Sequence, residues 1–131
     1  MRTLTKYSLC LTLLLSAAIL SSGFQKTSQQ SESSFLVGEW TLINLSYPDS
    51  ERTVKFTLDT NLAGEYYASD NKPRSITNAV YKDDSLYFKV PELQIYFEMR
   101  KVNDRFEGKM TKYGTNDRRA GEPVRMTKKS Q

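Results

Sequence analysis

The chain has 131 residues, of which 19 are basic and 15 acidic, with no histidine and one cysteine, Cys10. This length favours a single domain. The absence of histidine excludes Ser-His-Asp and Cys-His catalysis, and it excludes histidine-ligated zinc, copper or haem. A lone cysteine cannot form an intrachain disulfide, so the core alone must stabilise the fold, which is feasible for about 100 residues. We therefore expect neither a metal site nor a cofactor.

The first 23 residues have the pattern of a signal peptide. Arg2 and Lys6 precede an apolar run at residues 9–20, and small residues follow at 21–23. A membrane span needs about 20 apolar residues, so a retained membrane anchor is the less favoured alternative. The sequence therefore predicts cleavage of a signal peptide, residues 1–23.

Export determines the compartment of the mature protein and the partners available to it there. We expect cleavage after Gly23, with Ala18 as the alternative site, and a secreted or periplasmic protein that does not insert into a membrane. The signal peptide takes Arg2, Lys6 and Cys10 with it, which leaves 17 basic residues against 15 acidic ones, a charge of about +2. So small a net charge argues against a nucleic-acid partner.

Residues 24–34 are rich in serine and glutamine. Such a segment cannot bury enough apolar surface to fold, so we predict a flexible polar tail. The folded domain is expected at residues 35–131.

From residue 36 onward, apolar and polar residues alternate, with short turn signals between the runs, as is typical of antiparallel strands. Residues 52–60 show the pattern most clearly, because Val54, Phe56 and Leu58 fall on one face. Pro91 interrupts a later run, since proline cannot donate a hydrogen bond to a neighbouring strand. The eight predicted strands begin at Gly38 and continue with 52–60, 62–68, 75–81, 86–90, 93–102, 106–110 and 124–128.

Eight strands joined by short connections predict an all-β fold, an antiparallel up-and-down barrel. Closing the sheet on itself removes the exposed edges that favour aggregation. A β-sandwich shows the same alternation and is the alternative. An outer-membrane barrel is disfavoured because the outward positions carry Thr, Lys, Gln and Glu instead of an apolar belt.

The stretch Gly38-Glu39-Trp40 opens the first strand and carries the only tryptophan. It resembles the Gly-x-Trp of lipocalin and calycin barrels, and the chain is most similar to short lipocalin-like domains of secreted bacterial proteins. The resemblance implies that Trp40 closes one end of the barrel and that a basic residue of the last strand packs across its indole. Arg125 is the matching residue, with Lys128 as the second candidate. The long helix and the disulfides of full lipocalins are missing here.

The inward-facing positions define the predicted binding site. An eight-stranded barrel is just wide enough to be filled by side chains or to hold one small ligand. Tyr66 and Asn78 would be polar groups on an apolar lining, where they need each other, water or a ligand as partners. Gly64 and Gly108 would leave room or bend a strand. The predicted ligand-binding residues are Tyr66, Asn78, Phe88, Phe97 and Met110.

Two functions fit these features. The first is an exported barrel that binds a small apolar or amphipathic ligand in its interior. The second is a protein-interaction module, such as a periplasmic protease-inhibitor-like barrel, with Tyr81, Tyr87 and Tyr96 as an outward contact patch. An enzyme is not expected, because no general base or nucleophile constellation can be assembled.

Overall fold

The computed structural model describes residues 32–114 and 121–130. Contacts divide the chain into two units, Met1–Glu32 and Ser33–Gln131, and the second carries the fold. The predicted signal peptide lies outside the described residues, as does the predicted tail up to residue 31. The last part of that tail is folded, because Ser33 is buried and Ser34 begins a 3₁₀ turn, Ser34–Leu36. The folded unit therefore starts two residues earlier than predicted.

The folded unit is a closed antiparallel barrel in which each strand pairs with the next one along the chain. The last strand pairs with the first, and a second 3₁₀ turn, Pro91–Leu93, joins β5 to β6. The prediction of an up-and-down barrel is confirmed, and the sandwich alternative is wrong. The strands are β1 (Gly38–Asn44), β2 (Tyr47–Leu58), β3 (Leu62–Tyr67), β4 (Pro73–Lys82), β5 (Ser85–Val90), β6 (Ile95–Val102), β7 (Arg105–Lys112) and β8 (Glu122–Lys128).

The core fills the barrel because strand side chains alternate between its inside and its outside. In β2, Val54 and Phe56 are buried while Lys55 between them is exposed. The pairing of β1 with β8 sets Leu42 opposite Met126, and both side chains are buried. Closure therefore brings apolar residues from the two ends of the folded unit into one core.

A bulge in β4 exchanges the inward and outward positions of that strand. The pairing of β4 with β5 shifts register between Thr77 and Val80, and Asn78 has a left-handed backbone with a φ of 52°. Ile76 before the bulge is buried, whereas Val80 after it is 55% exposed. Asn78 is exposed and Tyr81 packs against the core. The predictions that Asn78 faces the interior and that Tyr81 lies on the outer face are therefore wrong.

Two glycines let neighbouring strands approach closely. A Cβ atom on Gly64 would clash with the carbonyl oxygen of Lys55, and one on Gly108 would clash with the backbone of Glu98 and Met99. Adjacent backbone already occupies the space that each missing side chain would take. These glycines therefore permit tight curvature of the sheet and do not create room for a ligand.

One end of the barrel is sealed by the turn Ser34–Leu36, which we call the plug. Leu36 is fully buried, and the indole Nε1 of Trp40 donates a hydrogen bond of 2.8 Å to its carbonyl oxygen. The Lys128 ammonium donates a 2.6 Å hydrogen bond to the carbonyl oxygen of Phe35 and lies 5.6 Å from the centroid of the Trp40 ring. Trp40 thus closes this end together with the plug.

The basic residue that packs on Trp40 is Lys128, and the prediction of Arg125 for this role is wrong. Arg125 lies between two buried neighbours on β8, so strand alternation turns its side chain to the outer face. Its Nε lies 3.6 Å from Oε1 of Glu107 on the adjacent strand. Lys128 is instead the direct strand partner of Trp40.

Candidate functional site

The barrel end opposite the plug combines charged groups with partly exposed apolar groups. We call this region the mouth and define it by Arg52, Tyr66, Arg74, Leu93 and Met110. Arg74 lies at the start of β4, whereas Arg52 lies in the middle of β2, directly opposite Leu42 of β1. The strand pairing sets Arg74 directly opposite Tyr66, and Tyr66 in turn opposite the residue two positions after Arg52.

Tyr66 is the buried polar residue of the mouth, with only 4% of its surface exposed. Its ring centroid lies 5.9 Å from that of Phe97, so the ring packs on the aromatic core. Burial raises the pKa of its hydroxyl, while the charge and a hydrogen bond of Arg52 and the charge of Arg74 act in the opposite direction. The phenol therefore stays neutral near pH 7 and keeps a proton to donate.

Arg74 is held in place by two carboxylates. Its two terminal nitrogens contact both carboxylate oxygens of Asp70, at 2.9 and 2.7 Å, in a paired geometry. The Glu92 carboxylate lies 3.7 Å from the Arg74 Nε, which is itself buried without a hydrogen-bond partner. Hydrogen bonds from Arg74 hold the pKa of Asp70 well below its usual range. The charge of Arg74 is thus largely compensated.

Arg52 differs from Arg74 because no carboxylate neutralises it. It is half-buried and donates a 3.0 Å hydrogen bond to the backbone carbonyl of Glu51. Among the described residues it forms no ion pair. The mouth also carries a carboxylate, because Glu122 is the direct strand partner of Met110 and accepts a hydrogen bond from the Asn44 side-chain amide.

Apolar side chains form the rest of the mouth and its floor. Met110 is the direct strand partner of Phe97, and both Met110 and Leu93 are partly exposed. Below them, the Phe97 and Phe88 rings stack at 4.6 Å, and Phe88 meets Phe56 edge to face at 5.4 Å. These three phenylalanines are 1% exposed or less, so no water-sized space adjoins them. The accessible apolar surface lies at the mouth and not in the barrel centre.

Four of the five predicted ligand-binding residues come together. Tyr66, Phe97 and Met110 are neighbours at the mouth, and Phe88 supports Phe97 from beneath. Asn78 lies outside the barrel because of the bulge in β4. The two arginines of the mouth were missed by the sequence analysis.

A signal for these arginines was present in the sequence. Arg52 stands two residues before Val54, and Arg74 stands two before Ile76, so both continue an inward-facing series. An arginine on the inward face of a predicted strand is rare unless its charge is used or paired. The predicted strand 52–60 begins at Arg52 and the predicted strand 75–81 begins after Arg74, so neither arginine was assigned to a face.

The outer face of the barrel carries a second distinctive feature, a row of three tyrosines. Tyr87 and Tyr96 have ring centroids 5.9 Å apart, and Tyr96 and Tyr113 have centroids 6.2 Å apart. The Lys89 ammonium lies 5.6 Å from the centroid of Tyr113. We call Tyr87, Tyr96 and Tyr113 the tyrosine row; all three are only partly buried.

Residues 32–114 and 121–130 contain no cluster of three potential metal ligands. No helix within the described ranges is both long and apolar enough to cross a membrane.

The comparisons with known proteins add no relative. A scan against protein-family models, a search of curated proteins and a search of solved structures each found no match to the chain. The class that the structure itself defines is a closed, eight-stranded antiparallel β-barrel.

Proposed function

We propose that this protein is an exported, lipocalin-like binding protein and not an enzyme, and that it takes up a small amphipathic ligand at the mouth. The observation that carries the proposal is the contrast between the two barrel ends. One end is sealed by the plug and Trp40, whereas the other combines partly exposed Met110 and Leu93 with polar groups. A few polar groups converging on an apolar concavity are typical of small-molecule sites.

The packing of the barrel centre limits where this ligand lies and how large it is. Because Phe88 and Phe97 are fully buried, a ligand that entered between them would have to displace both rings. At the mouth, by contrast, an apolar group covers Met110 and Leu93 without disturbing the core. The proposed ligand is therefore small, with its apolar part on Met110 and Leu93 and its polar part toward Tyr66.

Binding of N-phenyl-1-naphthylamine, a small apolar fluorescent probe, tests the proposal. We expect a fluorescence increase and a higher melting temperature, because a ligand that binds only the folded state stabilises it. Met110→Asp should abolish both effects, since it places a charge on the apolar contact surface. Asn78→Gly is the matched control: it lies on the outside at a positive φ, which glycine tolerates, and should leave binding unchanged.

Three possible outcomes of this experiment decide whether the ligand binds at the mouth. Loss of the fluorescence increase in Met110→Asp alone supports the mouth. Equal binding by Met110→Asp and the parent protein, or no binding by the parent protein, contradicts the proposal. Circular dichroism in the near ultraviolet must show that each variant keeps its packed aromatic core.

The tyrosine row favours a second candidate function, contact with another protein. Tyrosine is enriched at protein interfaces, and here the row is flanked by Lys89 and by Lys109, which pairs across strands with Glu98. Two lysines against one glutamate fit a partner with an acidic surface.

Native mass spectrometry of the protein from its own host separates the two functions. A bound small mass lost in Met110→Asp supports the mouth, whereas a bound protein lost in Tyr96→Ala and at high salt supports the row.

A further inference from the structure

We propose that the tyrosine row is an oxidative cross-linking site, at which Tyr87 and Tyr96 couple to dityrosine when a peroxide-driven one-electron oxidant acts on the protein. The inference goes beyond the proposed function and does not depend on the mouth. The coupling joins β5 to β6 through a covalent bond that needs no cysteine.

The first argument is the geometry of the two rings. Tyr96 lies directly opposite Lys89 of β5, so Tyr87, two positions before Lys89, is its diagonal neighbour on the outer face. The two ring centroids are 5.9 Å apart, and aromatic rings with centroids about 4.5–7 Å apart are in contact. Because exposed side chains reorient within nanoseconds, their ring carbons can meet without movement of the strands.

The second argument is access, because an oxidant in solution reaches few other suitable groups. The three tyrosines of the row are partly exposed, whereas Trp40 is 1% exposed and Tyr66 is 4% exposed. The single cysteine, Cys10, belongs to the predicted signal peptide. Tyr47 is well exposed, but no other two tyrosine rings of the described part of the chain pack together. The row therefore combines accessible phenols with direct ring contact.

The third argument is the charge beside each ring, which selects the coupling pair. Lys89 is the strand partner of Tyr96, but its ammonium lies 5.6 Å from the centroid of the Tyr113 ring. A cation at a ring face opposes the loss of an electron from that ring. Tyr87 has a carboxylate, Glu98, as its strand partner. We therefore expect Tyr96 to couple with Tyr87 in preference to Tyr113.

The coupling balances with hydrogen peroxide as the final oxidant. Each phenol gives up one electron and one proton and becomes a neutral tyrosyl radical. The two radicals join through the ring carbons next to their oxygens, and the hydrogen on each joined carbon moves to the oxygen, which restores both phenols. The two electrons and two protons that are released convert one hydrogen peroxide molecule into two water molecules.

Oxidation of the dilute, purified protein with a haem peroxidase and limiting hydrogen peroxide tests the inference. We expect dityrosine fluorescence from the monomer and a monomer mass lowered by two hydrogen atoms. Trypsin cleaves after Lys82, Lys89 and Arg100, so Tyr87 and Tyr96 fall on the separate peptides 83–89 and 90–100. Mass spectrometry should find these two peptides joined through their tyrosines.

Phenylalanine variants identify the reacting residues, because they keep the rings and remove only the phenol groups. Tyr96→Phe should abolish the cross-link within the monomer. Tyr87→Phe should lower its yield, since only coupling of Tyr96 with Tyr113 remains in the row. Tyr47→Phe is the matched control, because it removes an exposed phenol that has no tyrosine neighbour, and it should leave the yield unchanged.

Three results overturn the inference. The first is a parent monomer that loses no hydrogen, the second is an unchanged yield in Tyr96→Phe, and the third is a product that consists mainly of covalent dimers. A cross-link that forms mainly through Tyr113 overturns the choice of Tyr87 as the partner. The binding of N-phenyl-1-naphthylamine at the mouth is measured separately, so failure of the cross-link leaves the proposed function standing.

Discussion

At the residue scale, the plugged end depends on Lys128 making two contacts with one ammonium group. The group donates to the Phe35 carbonyl and also lies over the Trp40 ring. The indole is fixed independently by its own hydrogen bond to Leu36. Arg125, although it is the longer donor, points to the outer face and forms an ion pair with Glu107. Strand alternation, and not side-chain chemistry, decides which basic residue reaches the tryptophan.

Removal of Lys128 should therefore weaken the fold more than removal of Arg125. We expect Lys128→Ala to lower the free energy of unfolding by about 1–2 kcal/mol, from the lost charged hydrogen bond and the cation–π contact. Arg125→Ala should cost less than about 1 kcal/mol, as exposed ion pairs do. Urea unfolding followed by Trp40 fluorescence measures both. Equal losses in the two variants would contradict this account of the plugged end.

At the element scale, β4 shows that the alternation of apolar and polar residues does not by itself predict which side chains of a strand face the core. The alternation correctly predicts eight strands and the inward faces of β2, β5 and β6. In β4 one extra residue at the bulge turns every later side chain to the opposite face. Asparagine tolerates the left-handed backbone that the bulge needs, but nothing else in the local sequence separates a bulge there from a continuous strand.

The bulge predicts an unusual ranking of substitutions at position 78 by their effect on stability. Asn78→Gly should be neutral or slightly stabilising, because glycine adopts a φ of 52° without strain. Asn78→Val should cost about 1–2 kcal/mol despite the high β propensity of valine, since a Cβ-branched residue is strained in that region. Thr77→Val, one residue earlier on the exposed side of the strand, is the matched control and should have little effect. Thermal unfolding of the three variants checks the order, and a stable Asn78→Val would contradict the bulge.

At the scale of the whole molecule, the packed core explains why the candidate site lies at one end. A small domain with no disulfide in its folded unit must fill its interior to be stable, and stacked Phe88 and Phe97 do so here. The sequence predicted those residues and Tyr66 as inward facing, but it could not tell a filled barrel from a hollow one. That difference depends on ring-to-ring packing across strands distant in sequence. Arg52 and Arg74 were missed because the predicted strands, 52–60 and 75–81, begin at or after these residues, so the inward-facing series was not extended back to them.

The central claim, that a small amphipathic ligand binds at the mouth, is tested most directly by nuclear magnetic resonance. Amide and side-chain shifts of the isotope-labelled protein are followed during titration with N-phenyl-1-naphthylamine. The account predicts shifts that saturate and are concentrated at Arg52, Tyr66 and Met110, with Tyr96 on the outer face unaffected. Shifts centred on the tyrosine row, or no saturable shift at the mouth, would contradict it.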